Sequence, residues 1–394
     1  MRGLQVALHQ EAPIPLAARF DCAPGEVLAL VGPSGSGKST ILRAIAGTYR
    51  PRGGHVAVDG EIWFAAPSAH AGRRFVPPHR RPAGMVFQSY ALFPHMTALG
   101  NVMAALGHLP KADRAARARD LLGLVHLSGL EDRRPAALSG GQQQRVAVAR
   151  ALARAPRVLL LDEPFAAVDK ATRQRLYREI AALRHGLDMP VVLVTHDLEE
   201  AALLADRMVV LHRGETLQAG APETVTTRPA SARVARLVDL RNIFPGRLAG
   251  DDPATGRMRL DWSGLSLEVT ARPDLPAGTA VDWIVPDGFV VLHRRGRPSR
   301  GERENPVPGT VEAVLTIGQS AQVTLRPDHA PRWPLHFSVP RHVARRNGLV
   351  PGAQATVSLL GEGIHVMRAE PGETGGRESP AAWAEGANLT AGPA

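Results

Sequence analysis

The chain has 394 residues, is 44% hydrophobic, has a formal charge of +10 and contains one cysteine, Cys22. One cysteine excludes an intramolecular disulfide and fits a reducing compartment. No stretch approaches the roughly 20 uninterrupted apolar residues of a membrane helix, and no basic segment followed by an apolar run opens the sequence, so the protein is expected to stay where it is made.

The positive charge is scattered in pairs such as Arg73-Arg74, Arg133-Arg134 and Arg345-Arg346, with no aromatic-interleaved basic stripe. That pattern argues against a nucleic-acid partner. Arginine supplies almost all of it: Lys38, Lys111 and Lys170 are the only lysines.

From Leu4 to about Arg228, apolar strand-like runs alternate with helical patterns, as in an α/β domain built on a parallel sheet. Glu26 to Val31 reads as a buried strand that runs directly into Gly32-Pro33-Ser34-Gly35-Ser36-Gly37-Lys38-Ser39-Thr40. This is a phosphate-loop pattern: its glycines let successive backbone N–H groups surround phosphate oxygens, Lys38 adds a point charge at the β- and γ-phosphates, and the Ser39 hydroxyl can ligate Mg²⁺. A helix follows to Ala46 and stops at Gly47, and its positive dipole end faces the same phosphates.

Between about residues 89 and 155 the pattern turns mostly helical, with Lys111 to Leu124 rich in Arg, Ala and Leu. Ser139-Gly140-Gly141-Gln142 then opens a helix as a capping box. Two glycines after the cap make the same helix start an anion site. Val158 to Leu161 is a strand that delivers Asp162 and Glu163 to its end. One carboxylate suits Mg²⁺ and the next suits an attacking water, as phosphoryl transfer to water requires. Val191 to Thr195 is a further strand, followed by His196, and Met208 to His212 reads as a late strand closed by a turn at Arg213-Gly214.

After Pro229, short β-prone runs at Met258 to Leu260, Leu267 to Val269 and Val290 to Leu292 are separated by Gly, Pro and Asp, which predicts small barrel-like modules. The expected divisions are 1–230, 231–300, 301–368 and a disordered tail at 369–394. No internal repeat stands out.

The order and spacing of the phosphate loop, the Leu138 to Gln142 run and the Val158 to Glu163 strand resemble the ATP-binding cassette (ABC) family. The resemblance implies a P-loop ABC nucleotide-binding domain with a helical subdomain, an ATPase using ATP and Mg²⁺, and a homodimer in which Ser139, Gly140, Gly141 and Gln142 reach the partner's ATP. It assigns Glu163 as catalytic base and His196 as the switch residue at the γ-phosphate. Gln88 links metal, water and membrane partner, so the metal set becomes Ser39, Asp162 and Gln88. Asp169 falls at the acidic end of the dimer-interface loop, although Ala166-Ala167-Val168 departs from that loop's usual Ser-Ala-Leu. His9 and Phe20 are the aromatic rings that precede the phosphate loop, where the family stacks adenine.

Phe87 to Thr97, followed by Asn101-Val102, resembles the loop with which importer ATPases receive a permease helix, so the implied docking surface is Ser89 to Val102. The exposed aromatics of such a loop favour a partner over solvent. The implied setting is peripheral, on the cytoplasmic face of the cell (inner) membrane, with a periplasmic or extracellular substrate-binding protein acting indirectly. The C-terminal modules resemble OB/TOBE-type barrels. Asn305 to Val311, with Gly318-Gln319 and Leu349 to Ala353, resembles a molybdate-binding module that would hold an oxyanion. That makes molybdate the leading cargo, with sulfate or thiosulfate, ferric iron and polyamine as alternatives. Glu302 and Glu304 depart from the serine and basic residue expected before Asn305. A soluble nucleic-acid-associated ABC ATPase is the alternative from another class, disfavoured by a single cassette with no heptad insertion.

Overall fold

Strands built on continuous apolar runs need cover on both faces, and Val27–Val31, Val158–Asp162 and Val191–Val194 meet that need in the computed structural model, where every one of their residues is buried. The structure describes residues 2–66, 72–165, 188–252, 257–294 and 304–369, together with Arg173 and Tyr177. Asp169 and Ala166 to Val168 lie outside the described residues, as do Glu302 and the expected tail beyond Ala369. The chain divides into two compact units, 1–225 and 226–394.

In the first unit, one sheet contains β1 (Leu4–Gln10), β2 (Leu16–Cys22), β3 (Val27–Val31), β4 (Gly53–Val58), β5 (Glu61–Ala65), β6 (Arg74–Phe75), β7 (Ala83–Val86), β8 (Val158–Asp162), β9 (Val191–Val194), β10 (Arg207–His212) and β11 (Glu215–Gly220). Its order is β6-β5-β4-β1-β2-β11-β10-β3-β9-β8-β7. The pairs β10–β3, β3–β9, β9–β8 and β8–β7 are parallel, so the ends of β3, β7, β8 and β9 lie along one edge. Open parallel sheets place their sites at that carboxyl edge.

Helix α1 (Lys38–Ala46) begins at Gly37 and ends at Gly47, both left-handed, with φ of 95° and 85°. It buries Ile41, Leu42 and Ile45 in a core with Leu28, Leu30, Leu160 and Val194. Helices α2 (Ala98–Ala105), α3 (Lys111–Leu124) and α4 (Gly140–Leu152) pack on one another as the helical subdomain.

The second unit is β-rich and barrel-like. Its two five-stranded sheets share one core that includes Phe244, Trp262, Trp283, Val323, Phe337 and Leu359. One sheet, in the order β14-β13-β12-β15-β21, uses β12 (Ile243–Asp252), β13 (Arg257–Trp262), β14 (Leu265–Thr270), β15 (Ala280–Ile284) and β21 (His365–Arg368). The other, in the order β16-β20-β17-β18-β19, uses β16 (Val290–Leu292), β17 (Glu304–Ile317), β18 (Ser320–Pro327), β19 (Leu335–Pro340) and β20 (Gln354–Leu360). The last strand thus joins the first sheet and β16 joins the second, so strands cross the division expected at residue 300 in both directions.

This arrangement contains a duplication that the sequence reading missed. Asn242-Ile243-Phe244-Pro245-Gly246 and Asn305-Pro306-Val307-Pro308-Gly309 begin equivalent strands, and a register shift between Leu248 and Gly250 recurs between Val311 and Ala313. The two asparagines do the same work. Asn242 donates to the carbonyls of Val285 and His336 and accepts from the His336 N–H, while Asn305 donates to Glu268 and Leu359 carbonyls and accepts from the Glu268 N–H. Each amide staples its own sheet to the edge strand of the other. Both are buried, where an unsatisfied amide would cost about 1–3 kcal/mol.

Candidate active site

Gly32 closes β3 with φ of 150°, and a Cβ there would collide with the Leu211 carbonyl oxygen. Only glycine lets the loop pass so close to β10. The loop then turns back to α1, and the buried Lys38 ammonium lies across it, donating to the carbonyls of Gly32 (2.7 Å) and Pro33 (2.9 Å). Burial lowers the Lys38 pKa, while the charges of Glu163 and Asp162 oppose that shift. A phosphate beside Lys38 would act in the same direction as those carboxylates and favour the charged ammonium.

The Ser39 hydroxyl donates to Asp162 Oδ1 at 3.0 Å, joining the first turn of α1 to the end of β8. Desolvation raises the Asp162 pKa; the Ser39 hydrogen bond lowers it, the charge of Glu163 raises it, and Arg43 and Lys38 lower it. A buried carboxylate beside a second carboxylate and a hydroxyl is a set of hard oxygen donors that fits Mg²⁺.

Glu163 follows β8 in a left-handed conformation, φ 43°, with its N–H bonded to the Val194 carbonyl of β9. Non-glycine residues adopt that region sparingly, and the hydrogen bond to Val194 helps hold Glu163 in it. Gln88 Nε2, just past β7, donates to Glu163 Oε2 at 3.2 Å, and His196 Nδ1, just past β9, lies 3.5 Å from Oε1. Three adjacent strand ends thus bring Gln88, Glu163 and His196 together. Glu163 is 24% exposed and His196 65%, which leaves the carboxylate open toward solvent.

At the start of α4, Ser139 Oγ accepts from the Gln142 N–H and Gln142 Oε1 accepts from the Ser139 N–H, the full capping box. The cap uses both side chains. Among the described residues, no hydrogen bond takes up the N–H groups of Gly140 and Gly141, so the helix start keeps two donors for an anion.

Neither ring expected near adenine gains support as a pair. Phe20 is buried in the sheet core at 5% exposure and presents no face to a nucleotide, whereas His9 is exposed on β1. The loop expected to receive a partner differs from expectation in one respect: Tyr90 is buried, so Phe87 and Phe93, at 41% and 42% exposure, are its exposed phenyl rings. The loop is held from beneath. Arg150 of α4 donates to the carbonyls of Tyr90 and Ala91, and the fully buried Asn101 of α2 accepts from Phe93 N–H and donates to the Phe93 and Thr97 carbonyls. Sequence reading named Asn101 only as the end of a loop pattern, and did not single out Arg150.

In the second unit, Asn305 is no ligand-facing residue, since its amide is consumed by the staple between sheets. Glu304 beside it accepts from the Ser358 hydroxyl, which in turn meets His293. This places a carboxylate where the oxyanion expectation needed a cationic or neutral donor.

A model of the family described as ABC transporter matches residues 17–166. The chain is 38% identical over 361 residues to the sulfate/thiosulfate import ATP-binding protein CysA 2 of Chromobacterium violaceum, covering 90% of this chain and 91% of that one. It is 38% identical over 345 residues to the spermidine/putrescine import ATP-binding protein PotA of Rubrobacter xylanophilus, covering 86% and 85%. With the PotA of Oleidesulfovibrio alaskensis it shares 46% over 306 residues, 77% and 78% of the two chains.

Proposed function

The chain belongs to the ABC transporter family as an ATP-hydrolysing subunit of importer type, and from that premise we propose that two copies close on two ATP molecules and drive a separate permease. The observation that carries the reading is the Glu163 carboxylate between Gln88 and His196, next to the Ser39–Asp162 pair. The backbone of Gly32 to Thr40 and Lys38 hold the phosphates. Ser39, Asp162 and Gln88 would hold Mg²⁺, which when bound would offset charge on the phosphoryl oxygens. Glu163 orients and deprotonates the attacking water, and His196 donates toward the γ-phosphate.

Ser139 to Gln142 complete the other copy's site, which gives the two uncommitted N–H groups of α4 an anion to bind. Asp169 belongs to the contact between copies. Phe93 supplies an exposed apolar ring to the permease docking surface at Ser89 to Val102, with Phe87 just ahead of it, and loop motion on hydrolysis passes through Gln88. No helix among the described residues is long and apolar enough to cross a membrane. The importer-type relatives support a peripheral setting on the cytoplasmic side, with a substrate-binding protein across the membrane.

For cargo we propose an oxyanion of the sulfate class, supported by a relative named for sulfate and thiosulfate whose 38% identity extends over 90% of this chain. Molybdate rested on the segment around Asn305, and that support weakens with the amide stapled between two sheets and Glu304 beside it. Polyamine is the second reading, favoured by 46% identity to a protein named for spermidine and putrescine. In cells dependent on this chain, removing it is expected to lower uptake of labelled sulfate and to spare spermidine. Loss of spermidine uptake alone would overturn the oxyanion reading, and loss of molybdate uptake alone would restore the earlier one.

A further inference from the structure

Helix α5 (Leu198–Leu204) contains a buried acid that the hydrolysis scheme above does not use. Glu200 is 4% exposed. Its Oε2 accepts from the Thr195 hydroxyl at 2.8 Å, and its Oε1 is buried with no hydrogen-bond partner. The same Thr195 Oγ accepts from the Asp197 N–H at 3.0 Å. Thr195 and Asp197 are the two neighbours of His196, so one hydroxyl ties together both sides of the residue that meets Glu163. Asp197 is fixed further, as its Oδ1 caps α5 through the N–H groups of Glu199 and Glu200 and its Oδ2 lies 3.6 Å from Arg173.

We infer that Glu200 is a positioning residue for ATP hydrolysis: by orienting the Thr195 hydroxyl, it holds the turn that sets His196 against the Glu163 carboxylate. The inference rests on the roles proposed for Glu163 and His196. A donor O–H aimed at Glu200 leaves a Thr195 lone pair for the Asp197 N–H, so the carboxyl decides which way the hydroxyl points. A buried carboxyl is costly to retain in a fold, and an apolar residue of similar size would cover α5 without that cost.

The groups that face Glu200 are Asp197, Arg173 and Glu163, and the buried Tyr177 stands in the same cluster. Desolvation pushes the Glu200 carboxyl up to about 7; the Thr195 hydrogen bond lowers it, Asp197 raises it, Arg173 lowers it and Glu163 raises it. Ionisation near neutrality would make the Thr195 bond charge-assisted and shorter. The folded pKa stands above the value of 4.5 for an unperturbed carboxyl. The folded state therefore holds the proton more tightly, and this stabilising contribution is full at low pH and is lost as pH rises to about 7.

The test uses the full chain with Mg²⁺ and ATP, measuring kcat and KM across this range. Glu200→Leu and Thr195→Val are each expected to lower kcat about 10- to 100-fold through misplacement of His196. KM for ATP should stay within about twofold, because the phosphate contacts are untouched. Thr195→Ser, which keeps the hydroxyl, should restore most of the loss, and Glu200→Gln should abolish a rise in kcat near pH 7 that the parent chain shows. If Glu200→Leu does not fold, the Thr195→Val and Thr195→Ser pair decides the matter. Unchanged kcat in Thr195→Val, or equal losses in Thr195→Val and Thr195→Ser, would overturn the inference. Glu163→Gln run in parallel separates the two claims: if it abolishes turnover while Thr195→Val does not, only the positioning role fails.

Discussion

Glu163→Gln is expected to lower the turnover of ATP hydrolysis by about 100- to 10,000-fold, the range a general base contributes, while ATP binding is retained. Gln keeps the size of Glu and an oxygen to accept from Gln88 Nε2, so the contact at 3.2 Å survives. The left-handed backbone at this position is unaffected, since neither residue is β-branched and the φ of 43° is equally demanding for both. What is lost is the basicity needed to take a proton from water. Binding should persist because the phosphate contacts come from the loop at Gly32 to Ser39. Removing the charge relieves Asp162, whose pKa the Glu163 carboxylate helps to raise, and withdraws support from the Lys38 ammonium, so its two effects on stability oppose each other. Phosphate release and equilibrium nucleotide binding measure the two effects; undiminished phosphate release would remove Glu163 as the base.

Arg81→Leu is expected to destabilise the first unit by about 3–4 kcal/mol through buried carbonyls left without donors. Arg81 is 2% exposed, and its guanidinium donates to the carbonyls of Val76, Trp63, Ala44 and Ile45. Two of those carbonyls lie in the last turn of α1, which the phosphate loop opens. The guanidinium also stands 5.2 Å from the Phe75 ring centroid, and burial brings its pKa down to about 10. A Cβ on Gly47 would lie 2.7 Å from Arg81 Nε, so helix end and guanidinium are fitted to each other. For a unit of this size the loss corresponds to a drop of about 10 °C in melting temperature. A thermal melt shifted by less than about 2 °C would contradict the role given to Arg81.

The sequence makes some of this plain and conceals the rest for physical reasons. Gly32, Lys38, Ser39 and the Ser139–Gln142 capping box are legible because each depends on neighbours within a few residues. The meeting of Gln88, Glu163 and His196 depends on the order β9-β8-β7, which local spacing does not encode; only the family resemblance gave it. Arg81 escaped notice because its partners are main-chain carbonyls, which any residue supplies, and one more arginine is invisible in an arginine-rich chain. Glu200 was hidden in the first turn of α5, where an acid looks like a response to the helix dipole. The duplication around Asn242 and Asn305 leaves only an asparagine, a proline and a glycine in common at its start. Its evidence is in the staples and the shared bulge, and the same staple withdrew Asn305 from the ligand set that its sequence context suggested.

The central claim is that each hydrolytic site is built from two copies, with Glu163 from one and Ser139 to Gln142 from the other. A mixture of Glu163→Gln chains and Ser139→Arg chains tests it most directly. Neither variant alone should hydrolyse ATP at an appreciable rate. In a mixed dimer, one site combines both defects and the other combines an intact Glu163 with an intact Ser139. An equal mixture should therefore regain about a quarter of the parent turnover, since half of the dimers are mixed and each holds one complete site. A mixture as inactive as its components would contradict the account and place Ser139 and Glu163 of the same chain in one site.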